Sequence, residues 1–216
     1  MLLVLFNTHH IGFEDRVTQR REREAAVFFS GDAGFLGEGR SVAGVFESFG
    51  LPVYGVSSLA EFRERQSVSE TAQIVNDAVR AAKRRYGADR ILLVGHSFGA
   101  DAVGVAVPQL APDVRNSLTA VALIVPSQPI YLRADPTGIS YRGPPDAELD
   151  PLWSVRWVPI TCIKGEQETD SACPARPAPN VRVITLPGGH ALHHDMSRLA
   201  TALEEGLGSA AVRPVP

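Results

Sequence analysis

Residues 91–104 read "ILLVGHSFGADAVG": four apolar residues, then Gly95-His96-Ser97-Phe98-Gly99, then a run of small residues. A short apolar run bounded by glycine is the pattern of a strand buried on both faces. The small residues after it suit a helix packed close on a sheet. Gly-x-Ser-x-Gly between strand and helix is a nucleophile elbow, a sharp turn that lifts the serine hydroxyl above the sheet edge. Its flanking glycines leave room for backbone and substrate, and the amides after the serine point at it from a helix N-terminus. The competing reading is a glycine-rich turn whose serine only caps the helix. The strand before and the helix after favour the elbow.

Working outward, short apolar runs alternate with helical patterns, which predicts an α/β fold with a mostly parallel central sheet and helices on both faces, a three-layer sandwich. Predicted strands are Leu2–Phe6, Ala25–Phe29, Pro52–Val56, Ile91–Val94, Ala120–Val125, Pro159–Ile163 and Val181–Leu186. One helix covers Ser41–Ser48 with Gly50 as its C-terminal cap. Ser67-Val-Ser-Glu70 reads as a capping box opening a second helix that runs to Arg85, with Gly87 ending it. A third runs from Ser97 to Pro108, and a last from Asp195 to about Glu205. There is no internal repeat and no linker, so residues 1–216 read as one domain. The Pro- and Gly-rich stretch Ser127–Asp150, taken to residue 157 with the nearby tryptophans, reads as an insertion near the site. The tail, residues 208–216, reads as frayed.

The 216 residues suffice for a substantial core, and 44% hydrophobic with 21% charged residues is ordinary globular composition. A net charge of -3 argues against nucleic acid as a partner, because phosphate binding needs a basic face. The opening "MLLVLF" is far shorter than the roughly 20 residues of a membrane helix and lacks the features of a signal peptide. This leaves the cytoplasm, or export on a signal this chain does not carry. Two cysteines, Cys162 and Cys173, are too few for a disulfide scaffold or a zinc ribbon.

A serine nucleophile needs a base, and along such a fold the order is serine, acid, histidine. The last strand ends in "LPGGHALHHD", and the Gly188-Gly189 turn brings His190 to the sheet edge that carries Ser97. His193 and His194 compete for the role but lie further on, where the last helix begins. A metal held by His190, His193 and His194 lacks a cysteine or a His-Glu-x-x-His pattern, so no metal and no cofactor are expected. The acid comes from "CIKGEQETDSACP". Glu166, Glu168 and Asp170 all follow Gly165; spacing favours Glu168 and residue type favours Asp170. An oxyanion hole needs backbone amides. Phe98 supplies one, and Asp32 or Ala33 in "SGDAGF" supplies the other.

Together "FFSGDAGF", "LPVYGVSSL", "LLVGHSFGAD", "CIKGEQETDSACP" and "PGGHALHHD" resemble the bacterial VirJ family, including the equivalent AcvB domain, from about Val27 to about Leu203. The resemblance implies an α/β-hydrolase fold, a periplasmic location, ties to virulence and type IV secretion, and hydrolysis of lysyl-phosphatidylglycerol at its aminoacyl ester. It places the serine on Ser97, the histidine on His190 and the acid on Asp170, with Glu168 as the alternative. It also pairs Cys162 with Cys173, a bond closing a loop of about 12 residues and worth roughly 2–3 kcal/mol by chain entropy. The family's "SGDGGW" is here "SGDAGF", so Ala33 and Phe35 alter the loop and Phe35 is a candidate substrate wall.

An aminoacyl ester carries an ammonium, for which Asp32 and Asp101 are the candidate carboxylates. Asp101 lies four residues after Ser97 and so on the same helical face. Tyr131, Tyr141, Trp153 and Trp157 in or beside the insertion are candidates for covering the site, or for satellite core. Arg80, Lys83, Arg84, Arg85 and Arg90 form a basic cluster available to an anionic membrane. The expected partner is an ester substrate, a membrane phospholipid head group. A carboxylesterase for small soluble esters, and a non-catalytic partner of secretion-system proteins on a hydrolase frame, are the alternatives.

Overall fold

The computed structural model describes residues 23–36 and 38–208. The strand expected at Leu2–Phe6 and the frayed tail lie outside the described residues, apart from Gly208. Six strands, β1 (Glu24–Phe29), β2 (Val53–Val56), β3 (Arg90–His96), β4 (Leu118–Ile124), β5 (Ile160–Gly165) and β6 (Val181–Leu186), form one sheet in the order β2-β1-β3-β4-β5-β6. Every neighbouring pair is parallel. The connections carry α1 (Glu38–Ser48), α2 (Ser58–Glu61), α3 (Val68–Tyr86), α4 (Phe98–Ala106) and α5 (Pro112–Arg115), and α6 (Met196–Leu207) follows β6.

Alternation along the strands builds two apolar layers, because successive side chains leave opposite faces. Ala25, Val27 and Phe29 pack with Val75, Val79 and Ala82 of α3 and Val103 of α4. Ala26 and Phe28 pack on the other face with Val42 and Phe46 of α1 and with Leu199 and Leu203 of α6. All six residues of β1 are buried, which explains an apolar run with no polar face. Each fully buried phenylalanine here, Phe28, Phe29 and Phe46, contributes about 1.5–3 kcal/mol of transfer free energy.

The six strands expected within the described residues appear within two residues of their predicted bounds. The helix beginning after Ser67 shows both halves of its capping box: the Glu70 amide donates to Ser67 Oγ, and the Ser67 amide donates to Glu70 Oε2 at 2.8 Å. Gly87 closes it in the left-handed region at φ 63°. The short helices α2 and α5 were not anticipated; each is a single turn. The helix expected to reach Pro108 ends at Ala106 and tightens into a 3-10 turn over Val107–Gln109, where proline removes an amide donor.

Between residues 127 and 151 there are only turns and isolated bridges, one of them pairing Ile130 with Ala147. The segment is nevertheless anchored. Ile130, Leu132, Leu149 and Leu152 are buried in the α3–α4 layer. Asp146 accepts from Arg65 at 2.5 Å and from the Leu132 amide at 2.9 Å.

Cys162 and Cys173 are joined by a disulfide. It ties β5 to the loop leaving that strand. Replacing both cysteines by alanine should cost about 2–3 kcal/mol and lower the melting temperature by roughly 5–10 °C, read by calorimetry. A melting curve indifferent to the double substitution would show that the bond adds nothing.

Candidate active site

The turn after β3 is set by close backbone contact. A Cβ on Gly95 would lie 2.2 Å from the Gly99 carbonyl oxygen, and one on Gly99 would lie 2.3 Å from that of Phe29. No side chain fits at either position, so the start of α4 crosses directly over the ends of β1 and β3. Ser97 between them adopts φ 53° and ψ -125°, a conformation that costs an ordinary residue about 1–3 kcal/mol. The Ser97 amide donates to Ile124 O at 2.8 Å, which fixes the elbow to β4.

This turn brings Ser97 Oγ to 2.8 Å from His190 Nε2. His190 Nδ1 lies 2.8 Å from Glu168 Oε1, and the Gly165 amide donates to Glu168 Oε2 at 2.7 Å. With Nδ1 protonated and donating to Glu168, Nε2 is left to accept the serine proton. The Glu168 side chain is 2% exposed and that of His190 is 45% exposed, so the carboxylate is shielded while the imidazole opens to solvent.

The acid is therefore placed differently from the expectation that preferred Asp170. Asp170 is exposed and bonds through its backbone, its carbonyl accepting from the Gln128 amide at 2.8 Å. The physical reason lies in how the loop leaves β5. Gly165 has no room for a Cβ, which would meet Gly189 O at 2.4 Å, so the acid and histidine loops run against each other. The Glu166 and Gln167 amides donate to Leu186 O and Gly188 O. Three residues past Gly165, Glu168 folds back to the strand end beside His190. Five residues past it, Asp170 has already turned toward the insertion.

The other sequence candidates separate as well. Phe98 begins α4, and Asp32 lines the cavity beside Ser97; neither amide has a backbone acceptor among the described residues, as oxyanion donors require. Ala33 does not line that cavity. Phe35, expected as a substrate wall, does not line that cavity: its ring sits under Gly55, whose Cβ would be 2.6 Å from it, and 6.0 Å from the Phe28 ring. The apolar layer claims it. His193 packs against Gly188, and His194 contacts Glu38. No group of His, Cys, Asp and Glu able to hold a metal occurs among the described residues.

Asp101 is buried; its Oδ1 accepts from the Ser127 amide at 2.8 Å. Tyr131 and Tyr141 stack with centroids 5.5 Å apart, and the Tyr141 hydroxyl bonds Asp32 Oδ2 at 3.1 Å. That link between insertion and elbow-facing loop had no signal in the sequence. Trp153 packs against the core, and Arg115 lies over the half-exposed Trp157. Arg80 pairs with Asp113 and Asp77, and Arg90 with Glu24. Lys83, Arg84 and Arg85 end α3 just before β3 begins, a strand length of roughly 20 Å from Ser97, so the basic cluster does not border the site.

One feature escaped the sequence reading. His96, inside the elbow, is buried with no partner for Nδ1 among the described residues, and burial, aided by His190, pushes its pKa down to about 4. It stays neutral. His190 moves the other way: its bond to Glu168 raises its pKa above 6.5 against partial burial, with the charges of Glu168, Asp170 and Glu38 adding to the rise.

Residues 23–211 match the family described as bacterial virulence protein (VirJ). The chain belongs to the VirJ family. No curated protein matches it. Solved structures of similar fold include an esterase from Pyrococcus furiosus, 18% identical, covering 87% of this chain and 84% of that one with a TM-score of 0.57. Est1E from Butyrivibrio proteoclasticus is 16% identical over 84% of this chain and 85% of that one, TM-score 0.54. Naproxen esterase from Bacillus subtilis is 12% identical over 84% and 81%, TM-score 0.53. At such identities the likeness establishes the α/β-hydrolase fold of this VirJ-family chain.

NMR titration of the histidines should give His190 a midpoint above 6.5 while His96 stays uncharged down to about pH 4. Glu168→Gln should lower the His190 midpoint, and Asp170→Asn should lower it less. A larger drop with Asp170→Asn would assign the pairing to the wrong carboxylate.

Proposed function

We propose that this VirJ-family protein is a serine hydrolase that cleaves a carboxylic ester through an acyl-enzyme, with an aminoacyl-phosphatidylglycerol as its substrate. The observation that carries the reading is the continuous Ser97–His190–Glu168 chain of hydrogen bonds mounted on a strained elbow. The esterases of similar fold support the reaction class. The lipid follows from the resemblance to AcvB, and a location outside the cytoplasm is supported by the family and the disulfide.

Ser97 Oγ attacks the ester carbonyl carbon as His190 Nε2 takes its proton. Glu168 holds the imidazole in the right tautomer and offsets the imidazolium charge. The oxygen of the tetrahedral intermediate becomes an oxyanion within reach of the Phe98 and Asp32 amides. Collapse expels the glycerol oxygen, which takes the proton from His190, and leaves the aminoacyl group on Ser97. Water, deprotonated by His190, then attacks the new ester, and Ser97 recovers its proton as the amino acid leaves. Because the base must be neutral, activity should rise with pH through the raised His190 pKa.

Mass spectrometry of lysyl-phosphatidylglycerol vesicles incubated with protein should show phosphatidylglycerol and lysine in equal amounts. Ser97→Ala should slow this by at least about a thousandfold. Cleavage of small soluble esters with the lipid untouched would replace the lipid reading by that of a general carboxylesterase. Hydrolysis of neither would leave a secretion-system partner on a hydrolase frame.

A further inference from the structure

Beside Ser97 lies a cavity of about 80 Å³ whose walls come from three parts of the chain: Asp32 after β1, Asp101 from α4, and Tyr131 and Tyr141 from the insertion. Among the described residues no lysine or arginine lines it. At that size the space takes a compact group and not a fatty chain, and its two carboxylates disfavour a phosphate.

The polar atoms of this cavity are not used up. Asp101 is 7% exposed, and Oδ1 is committed to the Ser127 amide. Among the described residues Oδ2 has no hydrogen-bond partner, and the residue lines the cavity. Tyr141 is held rigid, bonding Asp32 with its hydroxyl and accepting there from the Asp135 amide at 3.0 Å. Tyr131 stacks on it at 16° between planes. A carboxylate oxygen of a buried residue with no partner among the described residues, a second carboxylate and two aromatic rings make a setting in which a compact cation replaces its lost water shell.

We propose that this cavity is a subsite for a primary ammonium one carbon from the scissile carbonyl, and that Asp101 is the residue that selects for it. This rests on the ester-hydrolase reading for the carbonyl and deepens it. Asp101 stands one helical turn beyond Ser97, its amide bonded to Ser97 O at 3.2 Å, and both residues line this cavity, so a group held by Asp101 shares the cavity with an acyl group on Ser97 Oγ. The arrangement favours a free α-amino group, which brings a positive charge to the carboxylates, over an Nα-acyl one, which brings none. Burial, opposed by the Ser127 amide and reinforced by Asp170, Glu168 and Asp32, drives the Asp101 pKa well above the usual carboxylate range; a bound ammonium supplies a counter-charge that no described residue lining the cavity provides. The insertion thus acts as the roof of a specificity pocket, locked to the elbow-facing loop by the Tyr141–Asp32 bond.

Methyl alaninate and methyl isobutyrate differ by an ammonium in place of a methyl group, which makes their kcat/KM ratio the readout. Asp101→Asn keeps an oxygen for the Ser127 amide and should lower that ratio about tenfold or more. Tyr131→Leu, which keeps apolar bulk, should lower it in the same direction and serves if the first variant does not fold. Independently of turnover, methylammonium titrated into Ser97→Ala should shift the Tyr131 and Tyr141 ring signals saturably, and not in Ser97→Ala with Asp101→Asn. Saturable shifts without turnover of either ester would uphold the subsite and discard the hydrolase reading. A ratio unmoved by both variants, with no saturable shift, would overturn the subsite.

Discussion

The site depends on one steric constraint: the start of α4 must cross the ends of β1 and β3 with backbone touching backbone. Gly95 and Gly99 permit the crossing because a Cβ at either would stand less than 2.5 Å from a carbonyl oxygen. The crossing leaves Ser97 no ordinary conformation, and at φ 53° its side chain projects above the sheet edge. The surrounding layers hold this strain: β3 is buried along nearly its whole length, and α4 is buried at every residue. Strain at Ser97 is thus supported by packing that lies well away from it.

The same device recurs across the sheet. Gly165 lets the end of β5 touch the Gly188-Gly189 turn after β6, and that contact puts Glu168 under His190. Three strand ends therefore deliver hydroxyl, imidazole and carboxylate to one edge, the first and last through glycines where a Cβ would meet backbone and the imidazole through Gly188, which turns at φ 99°. Electrostatics then separates the two histidines. His96 inside the elbow is desolvated and neutral, while His190 at the surface is drawn toward protonation by Glu168.

Much of this was readable from residue order. Periodicity located the β1–β6 strands, because a sheet covered on both faces demands continuous apolar runs, and Ser67 with Glu70 marked a helix start by local bonding alone. Ser97 and His190 were legible because their flanking glycines announce the turns that carry them. Glu168 was harder. Its spacing from Gly165 pointed to it, but the residue type and the family resemblance favoured Asp170. What decides is a bond from Glu168 back to its own strand end and a backbone bond from Asp170 to the insertion, neither written in composition. Phe35 misled for a similar reason: the space above Gly55 that receives its ring arises only when β2 pairs with β1. The bond from Tyr141 to Asp32 joins residues 109 apart, for which single-sequence patterns carry no signal.

The central claim is that the strained turn and the imidazole behind it make Ser97 more reactive than any other hydroxyl in the chain. A fluorophosphonate probe followed by peptide mass mapping measures this directly. One adduct on Ser97, formed rapidly in the folded protein and lost on unfolding or in His190→Ala, is the result the structure requires. An unreactive Ser97, or labelling that His190→Ala leaves as fast as before, would contradict it.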